Sequence, residues 1–118
     1  MTVDHPEFEI ARTQTDGVAV VGVKGEVDLT NADAMQAAVE GTATPVVVLD
    51  LSGVTFLDSS GIRAIDQARR CLLAVERSLV VVSPPGTPSA WTLRVAGFDP
   101  GLVAESVEAA LATRASST

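Results

Sequence analysis

The sequence predicts an α/β domain, a mixed and mostly parallel sheet of about five strands packed against about four helices. Three observations carry that prediction. Val46–Leu51 is an almost unbroken apolar run, as a strand covered on both faces requires. Stretches of strand character alternate with stretches of helical periodicity, which implies right-handed crossovers between parallel strands. Asp16-Gly17 separates Phe8–Thr15 from Val18–Val23 and is a two-residue hairpin signal, so the chain opens with an antiparallel pair.

The elements follow in order. Gly25-Glu26-Val27-Asp28 comes after the second strand, and Thr30 or Asn31 can cap a helix to about Glu40, with Ala32, Met35 and Val39 on one face and Gly41 ending it. After Val46–Leu51, whose Asp50 is expected near an exposed strand end, Ser52-Gly53 reads as a turn. Asp58 or Ser59 then caps a helix beginning near Ser59 or Ser60 and reaching about Arg77, with Ile62, Ile65, Ala68, Leu72 and Val75 as its apolar stripe. Leu79–Val82 is a further buried strand, and Ser83-Pro84-Pro85-Gly86 breaks the chain. Pro88 suits the first turn of a helix to about Ala96. A short strand is expected at Leu102–Ala104, and Ser106 caps a last helix ending near Arg114. Residues 1–118 form one domain, with about 1–6 and 115–118 expected to be flexible.

The totals narrow the function. Apolar residues make up 47% of 118, enough for a core without staples, and with few aromatics that core is built from Val, Leu, Ile and Ala. The net charge of −7 argues against direct nucleic-acid binding. Residues 1–58 hold ten acids and two bases, whereas residues 59–118 hold five acids and six bases, so the sign changes at Ser59. Cys71 is the only cysteine, which fits a reducing compartment; it neighbours the apolar stripe and reads as inert packing. Signal peptide and membrane span are unsupported, so a cytoplasmic protein is expected.

Catalysis is not expected. The only histidine, His5, lies in the N-terminal segment, where it cannot be held as the base of a triad, and the serines of Leu57-Asp58-Ser59-Ser60-Gly61 are not in a nucleophile elbow. No ligands converge for a metal, and Gly22-Val23-Lys24-Gly25 is neither a P-loop nor a dinucleotide fingerprint, so no cofactor is expected.

Pro45–Gly61 organises the chain. A buried strand delivers Asp58, Ser59 and Ser60 to a helix N-terminus, and Gly61 allows close backbone approach. Spacing alone explains Ser59 as a helix cap; as a phosphoacceptor it would place the phosphate at the positive helix end. Ser59 projects on the same side as Arg63, Asp66 and Arg70, with Arg63 one turn on and within reach of that phosphate. Trp91 lies on the far side of its helix from Leu93, so it is either an exposed contact residue or folded over the last helix.

Three segments, VVVLDLSGVTFLDSSGIRAI, GEVDLTNADAMQAAV and LVVVSPPGTPSAWTLRVAGFD, together resemble the STAS domain family, and within it the bacterial anti-sigma factor antagonists. The resemblance implies the STAS fold and a place in a stress-response partner switch. In that family the first serine of the DSSG segment is phosphorylated by a partner that is both anti-sigma factor and serine kinase and supplies the ATP; the matching residue is Ser59. Asp28 matches an acid near the phosphoacceptor that contributes to kinase recognition. Asp58, Ser60 and Gly61 shape the surroundings, and Arg63 completes the partner-binding set. A serine phosphatase is the implied second partner, with no nucleic acid and no membrane; exposed strand edges would allow a weak homodimer. Two other roles fit a STAS domain: a subunit of a transporter or lipid-transport complex, and a small-nucleotide-binding module.

Overall fold

The computed structural model describes residues 8–116, with side chains to 112; the expectations for residues 1–6, His5 and 117–118 lie outside it. The elements are β1 (Glu9–Thr15), β2 (Val18–Val27), α1 (Ala32–Glu40), β3 (Val46–Leu57), α2 (Ser59–Leu73), β4 (Ser78–Val82), α3 (Pro88–Val95), a 3-10 turn (Pro100–Leu102), β5 (Val103–Ala104) and α4 (Val107–Ser116). The five strands form one sheet in the order β1-β2-β3-β4-β5. Only the β1–β2 pair is antiparallel. Its hairpin turns on Asp16 (φ 50°) and Gly17 (φ 81°), the pair of left-handed residues that a tight two-residue loop demands.

Strand alternation divides the interior in two. Val21, Val23, Val47, Leu49, Leu51 and Val81 pack with the buried faces of α1, α2 and α3. Val18, Val20, Val48, Val80 and Val82 point the other way and meet Val107 and Ala110 of α4. The central strands are therefore apolar on both faces, which is why β3 reads as a continuous run. The expected faces of α1 (Ala32, Met35, Val39) and most of α2 (Ile65, Ala68, Leu72) are buried, and Ala64 joins the latter.

Several boundaries move. Ser52-Gly53 is not a turn, because β3 continues through it to Leu57, and β2 likewise continues to Val27. The two strands stay paired by bulging: Gly22 pairs with Asp50 but Lys24 with Gly53, and Gly25 pairs with Val54 but Glu26 with Phe56. A Cβ on Gly53 would lie 2.8 Å from Cγ of Lys24, so a larger residue there would have to displace the Lys24 side chain. Asp50 is consequently mid-strand, and its Oδ1 accepts a hydrogen bond from the Ser52 N–H (3.0 Å).

At the other end of α2 the helix stops at Leu73, short of Arg77. Glu76 adopts φ 61° and the Arg77 N–H donates to the Leu72 carbonyl at 2.9 Å, closing the helix end. Val75 leaves the stripe and is 63% exposed. Arg77 instead ties this turn to the α1–β3 loop, donating from Nε to the Thr44 carbonyl (2.7 Å) and from a terminal nitrogen to Oγ1 of Thr42 (2.7 Å). Gly41 ends α1 with an ordinary φ of −78°. The expected strand at Leu102–Ala104 begins at Val103 because Pro100–Leu102 forms the 3-10 turn, and α4 runs on to Ser116 from an N-terminal turn in which Ser106 Oγ accepts from the Ala109 N–H (3.0 Å).

Candidate functional site

The bulges bring β2 and β3 to a common end, with Val27 paired to Leu57. The residues that follow, Asp28 and Asp58, leave the sheet side by side, and the Asp58 N–H donates to the Val27 carbonyl at 3.2 Å. Asp58 is extended (φ −103°, ψ −173°) and turns its carboxylate back over the first turn of α2. Its Oδ1 accepts from the N–H groups of Ser60 (2.9 Å) and Gly61 (3.1 Å). Of the two candidates, Asp58 and Ser59, the cap of α2 is therefore Asp58.

This arrangement decides the state of Ser59. It is the first residue of the helix, its side chain is exposed, and among the described residues its hydroxyl makes no hydrogen bond. The positive helix end expected to face a phosphate is already occupied by the Asp58 carboxylate. Ser60 is half-buried. Gly61 is buried for a packing reason rather than to admit a phosphate: a Cβ there would collide with Cδ1 of Leu57 and lie 3.0 Å from Cγ1 of Val27.

Asp28 is held by its own loop. It accepts from the N–H (2.9 Å) and the hydroxyl of Thr30, and its N–H donates to Asn31 Oδ1 (3.0 Å). Asn31 spends its side chain here and on the Glu26 carbonyl (2.8 Å), so it precedes α1 without a side-chain cap. The Thr30 hydroxyl, and secondly the Thr30 N–H, hold the Asp28 carboxyl below its ordinary pKa. Both acids beside Ser59 thus carry committed hydrogen bonds that fix their direction. Leu29, between Asp28 and Thr30, is 77% exposed beside this site. Sequence reasoning missed it, although an apolar residue in a polar loop with no periodic role was the available signal.

Ser59, Arg63 and Asp66 line one side of a groove of about 590 Å³. The opposite wall is α3, the loop after it and the 3-10 turn, contributing Trp91, Val95, Phe98 and Leu102. Arg70 does not join them, since its Nε reaches out to Asp66 (3.0 Å), which Arg69 also contacts (3.4 Å). Arg63 is exposed and has no ion pair among the described residues. Trp91 faces this groove at 59% exposure, so of the two alternatives it is left open rather than folded over the last helix. Cys71 is exposed rather than packed. Hydrogen bonding to Glu40 foremost, then desolvation and the Glu40 charge, raise its pKa, so it stays a thiol of low reactivity.

The β4–α3 junction also gathers hydroxyls, with the opposite outcome. Ser83 and Ser89 are buried and lie 2.7 Å apart, and Thr87 Oγ1 donates to the Pro84 carbonyl (2.7 Å) while accepting from the Ala90 N–H (3.3 Å). Among the described residues no group of three or more His, Cys, Asp or Glu side chains could hold a metal, and no helix is long and apolar enough to cross a membrane.

Residues 9–110 match the STAS domain family. This chain belongs to that family. The anti-sigma factor antagonist from Mycobacterium paratuberculosis superposes on this STAS domain with a TM-score of 0.81, at 28% identity over 92% of this chain and 94% of its own. The phosphorylated form of the Bacillus cell fate determinant SpoIIAA shares the fold with a TM-score of 0.68, at 18% identity over 92% and 99%. A sulfate transporter family protein from Wolinella succinogenes does so with 0.70, at 18% identity over 82% and 84%. No curated protein matches the chain significantly.

Proposed function

We propose that this STAS domain is an anti-sigma factor antagonist. Unmodified, it docks on a partner that is both anti-sigma factor and serine kinase, and so releases the sigma factor. That kinase, using its own ATP, phosphorylates Ser59 and switches the antagonist off; a serine phosphatase restores it. The chain itself contributes no catalysis, binds no cofactor, and works in the cytoplasm without touching nucleic acid or membrane.

The observation that carries this reading is the exposed, unbonded Ser59 hydroxyl, left free because Asp58 has taken over the cap. Phosphate at that point adds about −2 charge beside Asp58 and the Asp28 carboxylate, which opposes docking by repulsion and desolvation with little effect on the fold. A penalty of ~3 kcal/mol weakens binding more than a hundredfold, enough for a switch. The likeness to an anti-sigma factor antagonist at 28% identity supports the same role.

The STAS fold also occurs in a transporter family protein, so fold alone does not choose between a soluble switch and a transporter subunit. Displacement does. Unmodified protein added to a sigma factor–kinase complex is expected to free the sigma factor, and Ser59→Asp is expected to fail. Release by Ser59→Asp equal to wild type would contradict the switch, and co-purification with a transporter subunit instead of a kinase would replace it.

A further inference from the structure

We propose that the groove between α2 and the α3–3-10 segment is the contact surface of a two-fold homodimer, each copy laying the exposed ridge of its α3 into the groove of the other. The partner is a second copy of this chain because the two walls of the groove carry opposite charge around an apolar ridge. The inference goes beyond the reading of Ser59 given above and does not depend on it.

The apolar ridge comes from α3. Trp91 and Val95 are one helical turn apart, 59% and 63% exposed, and both line the groove. Ile62 of α2 and Phe98 of the loop after α3 line it too, each only partly buried by its own core. A tryptophan left open on a contiguous apolar surface is the type of residue that anchors protein interfaces.

The charges divide between the walls. On the α2 side Arg63 and Arg69 stand with Asp66, a net of +1; on the opposite side Asp99 stands alone, a net of −1. Arg70 and Arg94 lie outside the groove, which is therefore neutral in a chain of net charge −7. Asp66 is engaged by Arg69 at 3.4 Å, whereas Arg63 and Asp99 have no ion pair among the described residues. Asp99 spends only its Oδ1 within the chain, on the Gly101 N–H at 2.9 Å.

A two-fold axis requires a patch that complements itself. Rotation sets the α2 wall of each copy against the α3 wall of the other, so Arg63 meets the partner's Asp99 twice over while the apolar ridges pack between them. Elsewhere the acidic surfaces of two copies repel, and a neutral apolar patch is where that repulsion is least. The outer edge of β1 is a poorer place for a copy to pair. Antiparallel pairing of Glu9–Thr15 with itself over its full length sets Arg12 opposite Arg12, a like-charge pair at the centre.

Sedimentation equilibrium of the full chain between about 5 μM and about 0.5 mM tests the dimer. The mass is expected to climb from the 12.1 kDa monomer towards twice that value. Trp91 is the only tryptophan, so its emission should shift to the blue over the same concentrations. Trp91→Ala, at an exposed position, is expected to weaken association about tenfold or more. Arg63→Asp and Asp99→Lys each set like charges across the interface and should leave monomers, with folding checked by circular dichroism. Mixed in equal amounts, these two variants should associate again, because a heterodimer holds one native and one exchanged charge pair. A chain that stays monomeric throughout would overturn the proposal. So would a dimer that survives all three substitutions, as one built on the β1 edge would, or a mixture of the two folded charge variants that remains monomeric.

Discussion

Two of the strand-to-helix junctions of this domain, β3–α2 and β4–α3, both carry serines at a helix N-terminus and have opposite chemistry. At β4–α3 the hydroxyls are structural: Thr87 caps the helix, and Ser83 and Ser89 are buried against each other at 2.7 Å. At β3–α2 a carboxylate caps the helix, and the first helical residue, Ser59, is left exposed with nothing to bond. A serine at a helix start is available for modification when another side chain has relieved it of capping. Asp58 provides that relief, and Pro88 with Thr87 marks a helix start where no serine is spared.

The largest effect should come from disturbing the packing that fixes the first junction. Gly61→Val places atoms where Leu57 and Val27 already are, and should cost about 2–3 kcal/mol of stability in chemical denaturation. An effect below half a kilocalorie would mean that α2 is not seated on the ends of β2 and β3. Next comes the direct contrast. Ser89→Ala removes the near partner of a buried hydroxyl and should cost roughly 1–2 kcal/mol, whereas Ser59→Ala should stay within about 0.5 kcal/mol of wild type. Equal costs would erase the distinction between the junctions.

Asp58→Ala should lose about 1 kcal/mol with the cap, and Asp58→Asn should recover most of it, because an amide oxygen can accept the same bonds. Failure of Asn to recover would make charge rather than capping the contribution of Asp58. The smallest effect concerns Asp28. Its folded pKa is depressed, so its contribution is present above the ordinary value of 3.8 and is lost as pH falls through the lower folded value. Thr30→Ala should move the Asp28 titration, followed by carboxyl NMR, back up towards that value; an unmoved titration would remove the Thr30 hydroxyl as its cause.

The sequence made the sheet legible because β3 and its neighbours are apolar on both faces, and made α1 legible because Ala32, Met35 and Val39 keep helical spacing. It could not show that Ser52-Gly53 is a bulge: serine and glycine are turn residues by propensity, and only pairing with Lys24 keeps them in the strand. It overextended α2 because Val75 fits the stripe, while the left-handed Glu76 that stops the chain carries no glycine to announce it. Within the site, Asp58, Ser59 and Arg63 were singled out by position, and Asp28 by the family resemblance. Two things needed three dimensions. One is the division of labour between Asp58 and Ser59, since either can cap. The other is the groove, whose walls are about thirty residues apart in sequence and meet only across α2 and α3.

The central claim is that Ser59, whose exposed hydroxyl is left without a bond at the start of α2, is the phosphoacceptor of this junction. Wild type and Ser59→Ala, each incubated with an anti-sigma factor serine kinase and ATP and mapped by mass spectrometry, test it most directly. A single phosphate on Ser59 in wild type and none on the variant is the expected result. Phosphate retained on the Ala variant, whether on Ser60 or in the β4–α3 hydroxyl cluster, would contradict it.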